Sequence, residues 1–137
     1  MRLVVLFLFT SSIFFACNSN TKTQQEGDPQ VYAEANEIHQ RSLDLREEIT
    51  EIEKELKAQQ VDYSREKDAL KTWDKDIIEV PGHEHSHDDE HQREYHVHNR
   101  MKDFSDVEHL EYQRVMHNEI MEIHSAMKRK TAPEIMH

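Results

Sequence analysis

Asp28-Pro29-Gln30-Val31-Tyr32-Ala33-Glu34-Ala35-Asn36-Glu37-Ile38-His39-Gln40-Arg41-Ser42-Leu43-Asp44-Leu45-Arg46-Glu47-Glu48-Ile49-Thr50-Glu51-Ile52-Glu53-Lys54-Glu55-Leu56 opens on a helix start and holds one apolar interval to its end. The Asp28 carboxylate can accept from the free backbone N–H groups of a first turn, and Pro29 fits the first helical position, where a missing N–H costs nothing. Val31, Ala35, Ile38, Ser42, Leu45, Ile49, Ile52 and Leu56 then recur at alternating steps of four and three. That is the seam of an amphipathic helix that packs on another helix. Glu47, Glu48, Glu51, Lys54, Glu55 and Lys57 are left to face water.

The same interval runs on through Tyr63, Leu70, Trp73, Ile77 and Val80, but Val61-Asp62-Tyr63-Ser64 weakens it with β-branched and capping residues. A bend or short turn is expected at Asp62 to Ser64, followed by a second helix over 65–79 that Pro81-Gly82 stops. Further on, Ser105-Asp106-Val107-Glu108 has the capping-box pattern, in which the Ser hydroxyl and the Glu carboxylate each close a free backbone N–H. Tyr112, Met116, Ile120, Ile123 and Met127 share one face of the helix that starts there, and Lys128-Arg129-Lys130 suits the negative end of its macrodipole. With no strand-like alternation and two Gly in 137 residues, the chain is expected to be all-α: an antiparallel two- or three-helix hairpin or bundle with a disordered His-rich loop.

The first residues carry a different signal. Met1-Arg2 is a basic start, Leu3 to Phe15 is mostly apolar, and Ala16 is a small residue before Cys17, the order of an export leader. The apolar stretch is about 13 residues long, against the roughly 20 that a spanning helix needs. Phe14-Phe15-Ala16-Cys17 resembles the lipobox of bacterial lipoproteins, in which the Cys takes diacylglycerol and becomes the new N-terminus; its two Phe resemble the variant found in lipoproteins of the Bacteroidota. Cys17 is the only cysteine, so no intramolecular disulfide can form, and an acylated Cys17 is the expected membrane attachment. The expected organisation is a lipoprotein leader over 1–16, a flexible tether over 17–28 and a helical region over 29–80 with helices of about 29–61 and 65–79. A His-rich acidic loop over 81–103, a C-terminal helix over 104–130 and a tail over 131–137 complete it. The tether has no acidic run after Cys17 of the kind that resembles a surface-export signal, which favours the periplasmic face of the outer membrane.

The net charge is −11, which disfavours nucleic acid and anionic lipid surfaces and suits cations. Candidate chemistry is concentrated in one tract. His83, His85, His87, His91, His96 and His98, six of 11 histidines, fall within 16 residues together with Asp88, Asp89 and Glu90. Neutral imidazoles and carboxylates suit zinc, copper and nickel, and the absence of thiolates speaks for loose, exchangeable binding rather than a closed structural site; no cofactor is obligatory. His83-Glu84-His85-Ser86-His87 and His87-Asp88-Asp89-Glu90-His91 match the metalloprotease strings H-E-x-x-H and H-x-x-E-H. Those strings signify only on a helix, which Pro81-Gly82 opposes, and no nucleophile, base and orienting group stand at a diagnostic spacing, so the chain is not expected to be an enzyme. Outside the tract, His117 and His124 lie on one flank of the last helix with Asp106 and Gln113, and His109 lies in its apolar stripe. Such isolated histidines more often pack than ligate.

Phe14 to Cys17, the helix Val31-Tyr32-Ala33-Glu34-Ala35-Asn36-Glu37-Ile38-His39, the string Leu70-Lys71-Thr72-Trp73-Asp74-Lys75-Asp76-Ile77-Ile78-Glu79-Val80-Pro81-Gly82-His83-Glu84-His85 and the ending Met116-His117-Asn118-Glu119-Ile120-Met121-Glu122-Ile123-His124 together resemble a group of small Bacteroidota lipoproteins. Some of that group carry a label borrowed from viral A-type inclusion proteins. The resemblance implies a helix, a His-rich turn and a final helix, and supplies no catalytic residue. Two functions are therefore expected in competition: a membrane-anchored envelope lipoprotein that binds or buffers divalent metal through its loop, or a coiled-coil-like adaptor with no metal role. A protein partner or a second copy of the chain is compatible with either.

Overall fold

The computed structural model describes residues 27–84, 99 and 101–131, and three helices make up its regular structure: α1 (Pro29–Ala58), α2 (Ser64–Asp76) and α3 (Asp106–Thr131). The protein is all-helical, as its apolar intervals dictate. At the start of α1 the Asp28 carboxylate accepts from the Gln30 N–H at 2.9 Å, with Pro29 in the first turn. The Asp28 N–H in turn donates to the Asp106 carboxylate at 2.8 Å, so the beginnings of α1 and α3 are tied together. Gly27 is wedged beside them: a Cβ there would come within 2.7 Å of Asp106 and Tyr32. The end of the expected tether is thus packed onto the helices.

α1 ends at Ala58 instead of running to residue 61. Gln60 takes φ 56°, the Val61 N–H donates to the Leu56 carbonyl and the Gln60 N–H to the Lys57 carbonyl, the two bonds of a Schellman motif. Leu56 and Val61 meet in the core, the apolar contact that commonly closes this motif. Asp62 then accepts from the Ser64 N–H at 3.0 Å and α2 descends.

α2 also ends early. The sequence interval carries it to residue 79, but the helix stops at Asp76, and Ile77 takes an extended ψ of 133°. The cause is tertiary. The carbonyls of Asp74 and Ile77 accept from the Asn99 amide, that of Asp76 from the Tyr112 hydroxyl and that of Ile78 from the Gln113 amide, which satisfies the backbone without further helix. Ile77, Ile78 and Val80 stay buried in the extended segment. Pro81-Gly82 makes a turn one step later, with Gly82 at φ 75° and the His83 N–H donating to the Val80 carbonyl at 3.0 Å, the pattern of a type II turn.

Contacts fix the directions. Asp28 meets Asp106, His39 meets Gln113, Ser42 meets His117 and Glu48 meets His124, so α1 and α3 run parallel. Glu66 meets Lys130, Trp73 meets Met116 and Asp76 meets Tyr112, so α2 runs against α3. The result is an up-down-up bundle. Its main core holds Leu43, Ile49, Leu56, Leu70, Trp73, Ile77, Met116, Ile120 and Met127; a smaller one at the base joins Ala35, Ile38, Val80 and Leu110. Arg46 forks onto Asp74 at 2.8 and 3.1 Å, joining α1 to α2. No helix among the described residues is long and apolar enough to cross a membrane.

Candidate functional site

The base of the bundle is where the histidine tract leaves and returns. It departs at the Pro81-Gly82 turn, beside the small core of Ala35, Ile38, Val80 and Leu110. It returns at Asn99, whose side-chain amide donates to the Asp74 and Ile77 carbonyls at 2.8 and 2.7 Å. The residues that follow are fastened too. Lys102 Nζ donates to the Tyr112 hydroxyl at 2.8 Å and lies 4.2 Å from that ring's centre, and Phe104 stacks tilted on Tyr112 at 5.4 Å. The capping box closes the return: the Ser105 N–H donates to the Glu108 carboxylate at 2.8 Å and the Glu108 N–H to the Ser105 hydroxyl at 3.3 Å. The Ser105 N–H and hydroxyl, both donating to it, hold the Glu108 carboxyl below its ordinary pKa, and the N–H groups of Asp28 and Val107 do the same for Asp106.

Of the residues expected to bind metal, His83 is described and exposed, with Glu84 beside it. His85, His87, His91, His96, His98, Asp88, Asp89 and Glu90 lie outside the described residues, as does Cys17. Among the described residues no group of three or more His, Cys, Asp or Glu is placed to hold a metal ion. This bears on the flank of α3, where His117, His124, Asp106 and Gln113 are kept apart. Asp106 is engaged with Asp28 and Val107. His117 Nδ1 lies 3.1 Å from the Ser42 hydroxyl, and since that hydroxyl donates to the Ile38 carbonyl, the imidazole is the donor of the pair. His124 Nε2 comes 2.9 Å from the Glu48 carboxylate without hydrogen-bond alignment. Gln113 is fully buried rather than flanking.

Two histidines are buried outright. His39 Nδ1 lies 3.2 Å from the Gln113 side-chain oxygen. His109 is enclosed edge-on by Tyr32 at 5.8 Å and Phe104 at 5.5 Å. Burial pushes the His109 pKa down against the opposing pull of the Lys102 backbone and the Glu108 charge. His117 is pushed down by burial and by Arg41. Burial thus favours the neutral form of His109 and His117, which pack with His39 between α1 and α3. Sequence patterning placed His109 in the apolar stripe, but gave no sign of the Asn99 and Gln113 bridges, whose partners are backbone carbonyls 22 to 35 residues away.

Comparison with known protein families, with curated proteins and with solved structures gives no match to this chain.

Proposed function

We propose that the protein is an envelope lipoprotein, attached through Cys17 to the periplasmic face of the outer membrane, that binds or buffers divalent zinc, copper or nickel with its histidine tract. What supports it is the density of ligands: six imidazoles within 16 residues, interleaved with Asp88, Asp89 and Glu90, on a segment whose two ends are fastened to one end of the bundle. Fixed ends lower the entropy that a loop loses in wrapping an ion. Without thiolates, affinity is modest and follows the general divalent order with copper tightest.

The deciding experiment titrates the chain from Asn18 onward with each metal beside a variant in which His83, His85, His87, His91, His96 and His98 are Ala. Binding falls sharply in the variant and fades in the parent as pH drops through about 6.5, because protonated imidazole cannot ligate. Equal, weak binding by both proteins refutes the metal role and leaves a helical adaptor. The anchor is tested separately by Cys17→Ser, which releases the protein from the membrane fraction; a variant that stays as firmly bound as the parent rules out the lipid.

A further inference from the structure

The seam between α1 and α3 changes character along its length. From Leu43 onward α1 enters the main core with Ile49 and Leu56, whereas its first half meets α3 through Ala35 and Ile38 of the small core and through polar contacts. His109 of α3 lies edge-on to Tyr32 of α1 and to Phe104, with the Lys102 backbone and the Glu108 carboxylate as further neighbours. His39 of α1 meets Gln113, and His117 of α3 meets Ser42 with Arg41 beside it. The Asp28 N–H on the Asp106 carboxylate and the Glu34–Arg114 pair complete this half; an exposed ion pair of that kind contributes little.

What a further ring proton meets differs from one imidazole to the next. His109 Nδ1 is buried and has no hydrogen-bond partner among the described residues, so a proton there adds a charged donor without an acceptor, which burial penalises. His117 already donates from Nδ1 to Ser42, and the charge it would gain stands near that of Arg41. His124, farther along α3, lies 2.9 Å from the Glu48 carboxylate, so a charge there gains an opposite one. Acid therefore works against the first half of the seam and not against the second. The first half is also the poorer in apolar burial, with four buried residues in its core against eleven in the main one. We propose that acid releases the first half of α1: residues 29–42 leave α3 and fray, while the helix from Leu43 onward and the α2–α3 pair stay closed. A helical segment of this length is marginal in water once its apolar face is unpacked, and the opening stays local because the main core lies beyond it. Gly27, packed on Asp106 and Tyr32, is released with it.

Hydrogen exchange of the full-length protein in detergent, read by mass spectrometry at about pH 7.5 and about pH 5.5, tests this. The lower value lies above the ordinary carboxylate range near 4, which leaves the acidic groups out of the comparison. One unit below the ordinary imidazole value of about 6.5, a histidine that takes its proton only in the open state favours opening about tenfold. After correction for the intrinsic exchange rate, protection of the amides of 32–42 is expected to fall by about threefold or more, and that of 50–56 and 66–73 by less than half as much. His117→Gln, at a half-buried position where the amide can still donate to Ser42, reduces the fall, and His109→Phe added to it abolishes the fall while keeping an aromatic ring between Tyr32 and Phe104. Protection in 32–42 that falls by less than about threefold, a fall shared equally by 50–56 and 66–73, or a fall that His117→Gln leaves unchanged overturns the proposal.

Discussion

Gln113 stands where three segments meet. Its amide nitrogen donates to the Ile78 carbonyl at 2.8 Å and its oxygen accepts from His39, so one side chain links α3 to α1 and to the extended segment after α2. It does this with no exposed surface. A buried polar group left without its partner costs about 1–3 kcal/mol, and Gln113→Leu removes the partner of the Ile78 carbonyl while taking one from His39. The variant is expected to lose about 2–6 kcal/mol in urea unfolding, from two such penalties, although leucine is more apolar than glutamine. A loss below about 0.5 kcal/mol, the range of substitutions away from such features, would mean that water replaces the amide. Trp73 works in the same way at its own position: its indole N–H donates to the Met116 carbonyl at 2.8 Å, which orients the largest core side chain across α2 and α3.

Among the elements, the ends of the helices carry the information. The closing of α1 depends on Gln60 at φ 56°, a conformation that costs an ordinary residue about 1–2 kcal/mol and glycine almost nothing. Gln60→Gly is therefore expected to stabilise the protein by about 0.5–1 kcal/mol, the αL relief less the extra entropy of an unfolded glycine; a lower urea midpoint would show that the Gln60 side chain contributes contacts worth more than the strain. Arg46→Lys tests the tie between α1 and α2. The ammonium cannot fork onto both Asp74 oxygens, and the half-buried pair should weaken by about 1 kcal/mol. The starts of α1 and α3 were legible because Asp28-Pro29 and Ser105-Asp106-Val107-Glu108 are local signals that fold as they read. The end of α2 was not legible, since Ile77 and Val80 keep the helical interval and Pro81-Gly82 offers a ready stop. What ends it instead is a set of hydrogen bonds from Asn99, Tyr112 and Gln113 that no window of neighbouring residues contains. The same holds at the base for Asn99 and Lys102, whose side chains sit in no motif, whereas the Pro81-Gly82 turn and the capping box there are local signals.

For the molecule as a whole, buried His109 and half-buried His117 set how stability responds to acid. His109, among Tyr32, Phe104, Lys102 and Glu108, and His117, beside Ser42 and Arg41, both have folded pKa values below the ordinary 6.5. As pH falls through about 6.5 the unfolded chain takes up protons at these positions and the folded chain does not. The unfolded state then binds more protons, so stability is fully present above that pH and is lost from there down toward the depressed folded values. A second stage follows at lower pH. Asp62, Glu66, Asp68, Asp106 and Glu108 have lowered pKa values, set by backbone N–H groups, serine hydroxyls and lysine partners, and their contribution is lost as pH falls from the ordinary carboxylate range near 4 through those lowered values. The melting temperature is therefore expected to fall in two steps between pH 7 and pH 3. His109→Phe with His117→Gln should flatten the upper step and leave most of the lower one, because of the five carboxylates only Glu108 feels either imidazole, and Ser105 acts on it more strongly. A parent whose melting temperature is level from pH 7 to pH 5 would show that the two imidazoles protonate in place without cost, and that the seam between α1 and α3 admits water.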